Sequence, residues 1–221
     1  TAMRTCADYS GALRLLRKRP QDPEGFPKAL AVSAVAGNGL EQAWSEMQSL
    51  AAWRRDEALR FSQAVEDVDI YLEQPCRSYE ECLSVRRRAR HSIKLDEAFN
   101  NLNELQRGIR DDAMDAIALK VSKFGGLTPS RIIRDVCADA GIPMTVEDAW
   151  GSGIATAAYA HLAASTSPRA LLNTTDLHNY NTVQLATGAP EVANGRMWLS
   201  DRPGLGVTPD FELLSLRDVY E

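Results

Sequence analysis

Metal-binding cysteine patterns are missing from this chain. Its four cysteines, Cys6, Cys76, Cys82 and Cys137, form no C-x-x-C pair, and its three histidines add no zinc-like spacing. That excludes the common structural zinc modules. The cysteines read as reduced thiols, which points to a cytoplasmic protein. No apolar run approaches the ~20 residues of a membrane span, and the first residues do not read as a signal peptide. A concentrated basic face is also lacking. The formal net charge is −5 at pH 7 and the sequence pI is about 5.3. The clusters Arg14–Arg19 and Arg86–Arg90 are local and read as solvated faces or turns. Nucleic acid and membrane are therefore not expected as partners. There is no internal repeat. The first residue is Thr1 rather than methionine, so the chain is expected to be a fragment.

What is present is the composition of a globular protein. The 221 residues are 44% hydrophobic and 25% charged, sufficient for a sizeable core. From about residue 54 onward, short apolar runs alternate with amphipathic stretches. Arg54–Asp67 reads as a helix before the strand-like run from Val68 to Glu73. Ser78–Arg88 precedes Ser92–Asp96, and Asn101–Arg110 precedes Ala116–Lys120. Thr128–Ala140, with Thr128 as cap and Pro129 at the first helical position, precedes Ile142–Val146. Ile154–Ser165 precedes Ala170–Leu172. This alternation is the signature of a parallel α/β sheet. Strands apolar on both faces are expected where helices cover one side and a barrel core fills the other. Five βα units are countable, whereas a closed (β/α)₈ barrel typically has about 250 residues. The expected fold is therefore a partial (β/α)₈ TIM-type barrel. Composition shifts near Trp53, so residues 1–53 read as an atypical amino-terminal segment and residues 54–221 as the barrel region.

Polar residues close the strands. Glu73, Asp96 and Lys120 each stand at the carboxyl end of an apolar run, the end at which barrel active sites are built. The bland reading is a polar residue where a strand meets solvent, but three in succession favour a common mouth. Two converging carboxylates suit a hard cation such as Mg²⁺, which prefers oxygen ligands. A lysine beside that cation has its pKa lowered and becomes a better base.

Several motifs carry a family resemblance. Tyr71-Leu72-Glu73-Gln74-Pro75 resembles the fourth-strand "EQP" motif of the enolase superfamily. Lys94-Leu95-Asp96-Glu97 resembles the fifth-strand "DE" motif. Leu119-Lys120-Val121-Ser122-Lys123-Phe124-Gly125-Gly126 resembles the sixth-strand "K-x-x-K-x-GG" motif. Pro203-Gly204-Leu205-Gly206-Val207 resembles the family's closing segment. The resemblance, to the mandelate racemase/muconate lactonizing branch, covers roughly residues 53–221 and only the carboxyl-terminal barrel part. It implies that Glu73 and Asp96 bind Mg²⁺ and that Lys120 is the catalytic acid/base, with Lys123 beside it in the motif. Pro75-Cys76 and Glu147-Asp148-Ala149-Trp150-Gly151 look most like the cis-3-hydroxyproline dehydratase and hydroxyproline betaine 2-epimerase group. Asp148 and Trp150 are candidates for holding a substrate ammonium, by ion pairing and cation–π contact. Thr175 and Asp176 are candidate pocket residues. Trp150 also reads as ordinary rim packing.

The expected activity is Mg²⁺-dependent abstraction of an α-proton from a carboxylate substrate. Dehydration or epimerisation of a cyclic amino acid such as cis-3-hydroxyproline or a proline betaine would follow, within amino acid metabolism. Strand seven carries no histidine, which sets the chain apart from the mandelate racemase type. Three parts of the pattern are missing. Gln48 stands where the family's third-strand aspartate ligand belongs, Lys18 has no strand-like surroundings for a second-strand "K-x-K", and the capping domain has no counterpart. Whether the chain is an active lyase or epimerase is therefore open. The rival reading is an inactive, truncated or frame-shifted barrel remnant with a structural or interaction role. The unpaired strand edges of a five-unit barrel lead us to expect a homo-oligomer, or else the amino-terminal segment packed across the gap.

Overall fold

The computed structural model describes residues 2–15, 23–148 and 151–214. The chain divides into two compact units, Thr1–Val65 and Glu66–Glu221. In the first, α1 (Ala2–Leu15) and α2 (Leu40–Ala64) are the helices among the described residues. Helix α2 begins at Gly39, where φ is 75°. A Cβ there would lie 2.3 Å from the Ala31 carbonyl oxygen, so only glycine permits this entry. The helix runs unbroken through Trp53, where composition shifts. Gln48 sits within this helix, and Lys18 lies outside the described residues.

The second unit is built on five parallel strands in the order β1-β2-β3-β4-β5. These are β1 (Tyr71–Glu73), β2 (Ser92–Leu95), β3 (Ala116–Lys120), β4 (Met144–Glu147) and β5 (Leu171–Thr174). Helices α3 (Tyr79–Arg86), α4 (Leu102–Arg110), α5 (Leu127–Asp139) and α6 (Gly153–Ala164) form the crossovers. Every sequential pair of strands is adjacent and parallel, the arrangement of consecutive βα units in a barrel. The fold is thus α/β, a five-unit part of a TIM-type barrel. Among the described residues, β1 and β5 each have one strand neighbour.

Local sequence sets the helix starts. Ser78 and Glu81 form a reciprocal capping box at α3. Asn101 caps α4 through the Glu104 amide, and Ser152 caps α6 through the Ile154 amide. Helix α5 departs from expectation. It starts at Leu127 behind Gly126, whose φ of 113° suits glycine. Thr128 and Pro129 thus lie inside the first turn rather than at the cap and first position. Proline remains compatible there, because first-turn amides have no intrahelical partner.

The two sheet faces differ in chemistry. Leu72, Ile93, Leu95, Ile117, Leu119, Met144 and Val146 are buried and alternate along the strands, forming the core beneath the helices. On the opposite face the alternating positions are Tyr71 and Glu73, Lys94 and Asp96, Ala116, Ala118 and Lys120, then Thr145 and Glu147. The expectation of strands apolar on both faces is therefore corrected: one face is apolar, and the other is small or polar. Beyond β5 come a short 3₁₀ turn (Leu177–Tyr180) and four short strands. These are β6 (Ala186–Thr187), β7 (Glu191–Ala193), β8 (Arg196–Trp198) and β9 (Thr208–Pro209). The strands pair as β6 with β9 and β7 with β8.

Candidate functional site

Parallel register brings the polar strand ends to one level. Glu73 on β1 pairs with Lys94 on β2, and Lys120 on β3 pairs with Glu147 on β4. Asp96 directly follows β2. Carboxylate oxygens of Glu73, Asp96 and Glu147 all lie within 4.8 Å of one another. The exposures decide how each acid behaves. The Glu73 side chain is 41% exposed, that of Asp96 6% and that of Glu147 13%.

Asp96 is the hub. Its Oδ2 accepts from Lys120 Nζ, and its Oδ1 accepts from Lys123 Nζ at 2.9 Å. Lys123 also donates to the Asp96 backbone carbonyl at 2.6 Å. Burial alone would raise the Asp96 pKa, but hydrogen bonds and charge from the two lysines outweigh it and hold the carboxyl below its ordinary value. Burial would correspondingly lower Lys120, yet Asp96, with Glu147 and Glu97 behind it, holds its ammonium above the usual value. Lys120 is thus held as a protonated acid. The lowered pKa expected of it presupposes a cation competing for Asp96.

Glu147 behaves oppositely. Burial raises its pKa, and Lys120, 3.9 Å away, and Lys94 offset this only partly; Glu73 and Asp96 add to the rise. Lys94 lies on the same sheet face, its side chain 4% exposed. It contacts Glu73 Oε2 at 3.0 Å and donates to Thr145 Oγ1 at 3.2 Å. Burial would lower Lys94, but Glu73 raises it more.

Gln74 fastens the rim. Its φ is 38°, an unusual value for a residue with a side chain. Its Oε1 accepts from the Asp96 amide at 3.0 Å and the Ala98 amide at 3.4 Å. Its Nε2 donates to the Cys76 carbonyl at 2.9 Å. The side chain thereby ties the ends of β1 and β2 together, fixing Asp96 relative to Glu73.

The sequence-derived candidates separate into groups. Glu73, Asp96, Lys120 and Lys123 converge. Asp148 does not join the carboxylate cluster, because consecutive strand-end residues point to opposite sides. Its carboxylate accepts from the Ser122 hydroxyl and from the Ser122 amide at 3.1 Å. Trp150 lies outside the described residues. Thr175 and Asp176 follow β5. Thr175 Oγ1 is buried without a hydrogen-bond partner, and Asp176 accepts from the Asn179 amide group at 3.0 Å. Sequence reasoning missed Glu147. The same strand-end signal was available there, but the expected strand stopped at Val146, one residue short of the observed end.

The donor set fits a hard divalent cation. All three candidate groups are carboxylates, and no sulfur or imidazole ligand belongs to the cluster.

Comparison with known proteins identifies the family. Residues 32–213 match the family described as enolase C-terminal domain-like. A cis-3-hydroxy-L-proline dehydratase from Roseibium aggregatum is 53% identical over 162 residues, 73% of this chain and 44% of the relative. A mandelate racemase/muconate lactonizing enzyme from Roseovarius nubinhibens superposes with a TM-score of 0.71 at 42% identity, covering 98% of this chain and 52% of that one. An enolase superfamily member from the same organism, solved in complex with magnesium, superposes with a TM-score of 0.69 at 25% identity, covering 98% and 53%. This chain thus spans about half the length, or less, of these relatives. With the motifs, the parallel βα units and these matches in agreement, the chain belongs to the enolase superfamily and represents its carboxyl-terminal, barrel-forming part.

Proposed function

We propose that this chain carries metal-binding and acid/base residues of a Mg²⁺-dependent enzyme that removes the α-proton of a small carboxylate substrate. Cyclic amino acids of the cis-3-hydroxyproline or proline betaine type are the proposed substrates, and dehydration or epimerisation the outcome. The observation that carries this reading is the convergence of Glu73, Asp96 and Glu147 within 4.8 Å, with Lys120 on Asp96. The 53% identity to a cis-3-hydroxy-L-proline dehydratase supports the substrate class.

Glu73 and Asp96 are the proposed metal ligands, with Glu147 as a third carboxylate of the cluster. A bound divalent cation would supply positive charge to the substrate carboxylate, making the α-proton acidic enough for an amine to remove. Lys120 Nζ takes or returns that proton. Its ammonium starts protonated on Asp96, so any weakening of Asp96's hold favours the base form. Lys123 anchors Asp96 through both backbone and side chain. Trp150, Thr175 and Asp176 are proposed to contact substrate, whereas Asp148, turned to the other side and held by Ser122, is not. Among the described residues no helix is long and apolar enough to cross a membrane. A cytoplasmic site of action and self-association complete the proposal.

The test pairs binding with turnover on the full chain. Mg²⁺ should raise the melting temperature in a saturable way, and cis-3-hydroxy-L-proline should be consumed. Lys120→Met should abolish turnover yet keep the Mg²⁺-dependent shift. A wild-type protein that shows neither a shift nor turnover refutes the reading.

A further inference from the structure

We propose that Lys94 is the fixed counter-charge of the carboxylate cluster, a positioning residue that holds Glu73 and sets the cluster's net charge to suit a divalent ion. The inference rests on the metal-site reading above and gives a role to a residue that the fifth-strand motif contains but leaves unassigned.

Three acids and three lysines share this sheet face, but the lysines are not equivalent. Lys120 and Lys123 both reach Asp96, with side chains 22% and 14% exposed. Lys94 lies deeper, with a side-chain exposure of 4%. Its ammonium is enclosed by Glu73 Oε2 at 3.0 Å, Thr145 Oγ1 at 3.2 Å and the Tyr71 ring, whose centroid is 5.0 Å away. These partners come from β1 (Tyr71 and Glu73) and, across β3, from β4 (Thr145), and register places Lys94 directly opposite Glu73. A buried ammonium held from three sides has no water-facing alternative, so it stays when other groups exchange partners.

The consequence is a charge balance. Metal binding requires ionised ligands, so in the bound state the three carboxylates would carry −3, and Lys94 offsets one of those charges whatever Lys120 and Lys123 do. Without Lys94 the acids alone would suit a trivalent ion better, and Glu73 would lose the partner that orients it. Coulomb energy scales with ionic charge, so a fixed cation a few ångströms away disfavours a trivalent ion more than a divalent one.

The experiment measures Mn²⁺ and Tb³⁺ affinities of the full chain by calorimetry and terbium luminescence, counting only binding that Asp96→Asn abolishes. Lys94→Met should raise the ratio of Tb³⁺ to Mn²⁺ affinity by about tenfold or more, given a unit charge at this range. Lys94→Arg should restore the wild-type ratio. Lys94→Gln serves the same purpose, should the methionine variant fail to fold. A purely structural role would weaken both ions together and leave the ratio unchanged, which overturns the inference. A wild-type chain that binds neither ion overturns the metal-site reading itself, so the two failures are distinguishable.

Discussion

Asp96 and Glu147 are neighbouring carboxylates with opposite energetic roles, and paired substitutions should expose the difference. Asp96 is buried and accepts from two ammonium groups. Replacing it with asparagine preserves size and one acceptor but strands both positive charges. Breaking a buried ion pair by removing one partner costs ~3–5 kcal/mol. Lys120 retains 22% exposure and Lys123 keeps the Asp96 backbone carbonyl, so we reduce the expected loss to about 2–3 kcal/mol. For a chain of this length that corresponds to a melting temperature lower by roughly 5–10 °C. Glu147 differs in that its nearest ion-pair partner is 3.9 Å away and burial already favours its neutral form. Glu147→Gln should therefore change stability by no more than ~1 kcal/mol, in either direction. Both substitutions should weaken Mg²⁺ binding. Urea unfolding of the metal-free proteins with and without added Mg²⁺ separates the effects. If Glu147→Gln destabilises the metal-free protein as much as Asp96→Asn, the assignment of Asp96 as hub is wrong.

Two further outcomes follow from the same geometry and from the helix caps. The lowered Asp96 pKa contributes stability above the ordinary carboxylate range, lost as pH falls through the folded value; the raised Glu147 pKa contributes stability at low pH, lost as pH rises through its folded value. Wild type should therefore gain stability relative to Glu147→Gln as pH drops from 7 toward 4.5, while its advantage over Asp96→Asn collapses only at more acidic pH; unfolding midpoints across that range check both signs. At α3, Ser78→Ala removes one half of the capping box and should cost ~0.5–2 kcal/mol by chemical denaturation, with Ser78→Asp retaining most of the cap.

Much of the barrel region was legible because period-2 and helical patterns alternate cleanly after residue 54. Ala116–Lys120 is observed with the expected bounds. Strand β1 is only Tyr71–Glu73, whereas the apolar run begins at Val68. Hydrophobicity marks a strand's neighbourhood, but hydrogen bonding to β2 decides its length. The α5 start was misread because Thr-Pro is a strong local cap signal, and Gly125-Gly126 supplied a turn that overrode it. Glu73, Asp96 and Lys120 were found from strand-end polarity together with motif spacing. Glu147 and Lys94 were not. Glu147 lay one residue beyond the expected end of its strand, and Lys94, present only as the first residue of the fifth-strand motif, had no role until register set it against Glu73.

Gln74 has a practical consequence for anyone transplanting this carboxylate set into another barrel. Among the described residues Glu73 sits on a strand with a single neighbour, and beyond that pairing it is kept in step with Asp96 by one amide side chain on a left-handed backbone. A graft that moves the acids and lysines but leaves the glutamine behind would carry the right chemistry on a loose hinge. Copying Gln74 and its turn along with them is the smallest unit worth moving.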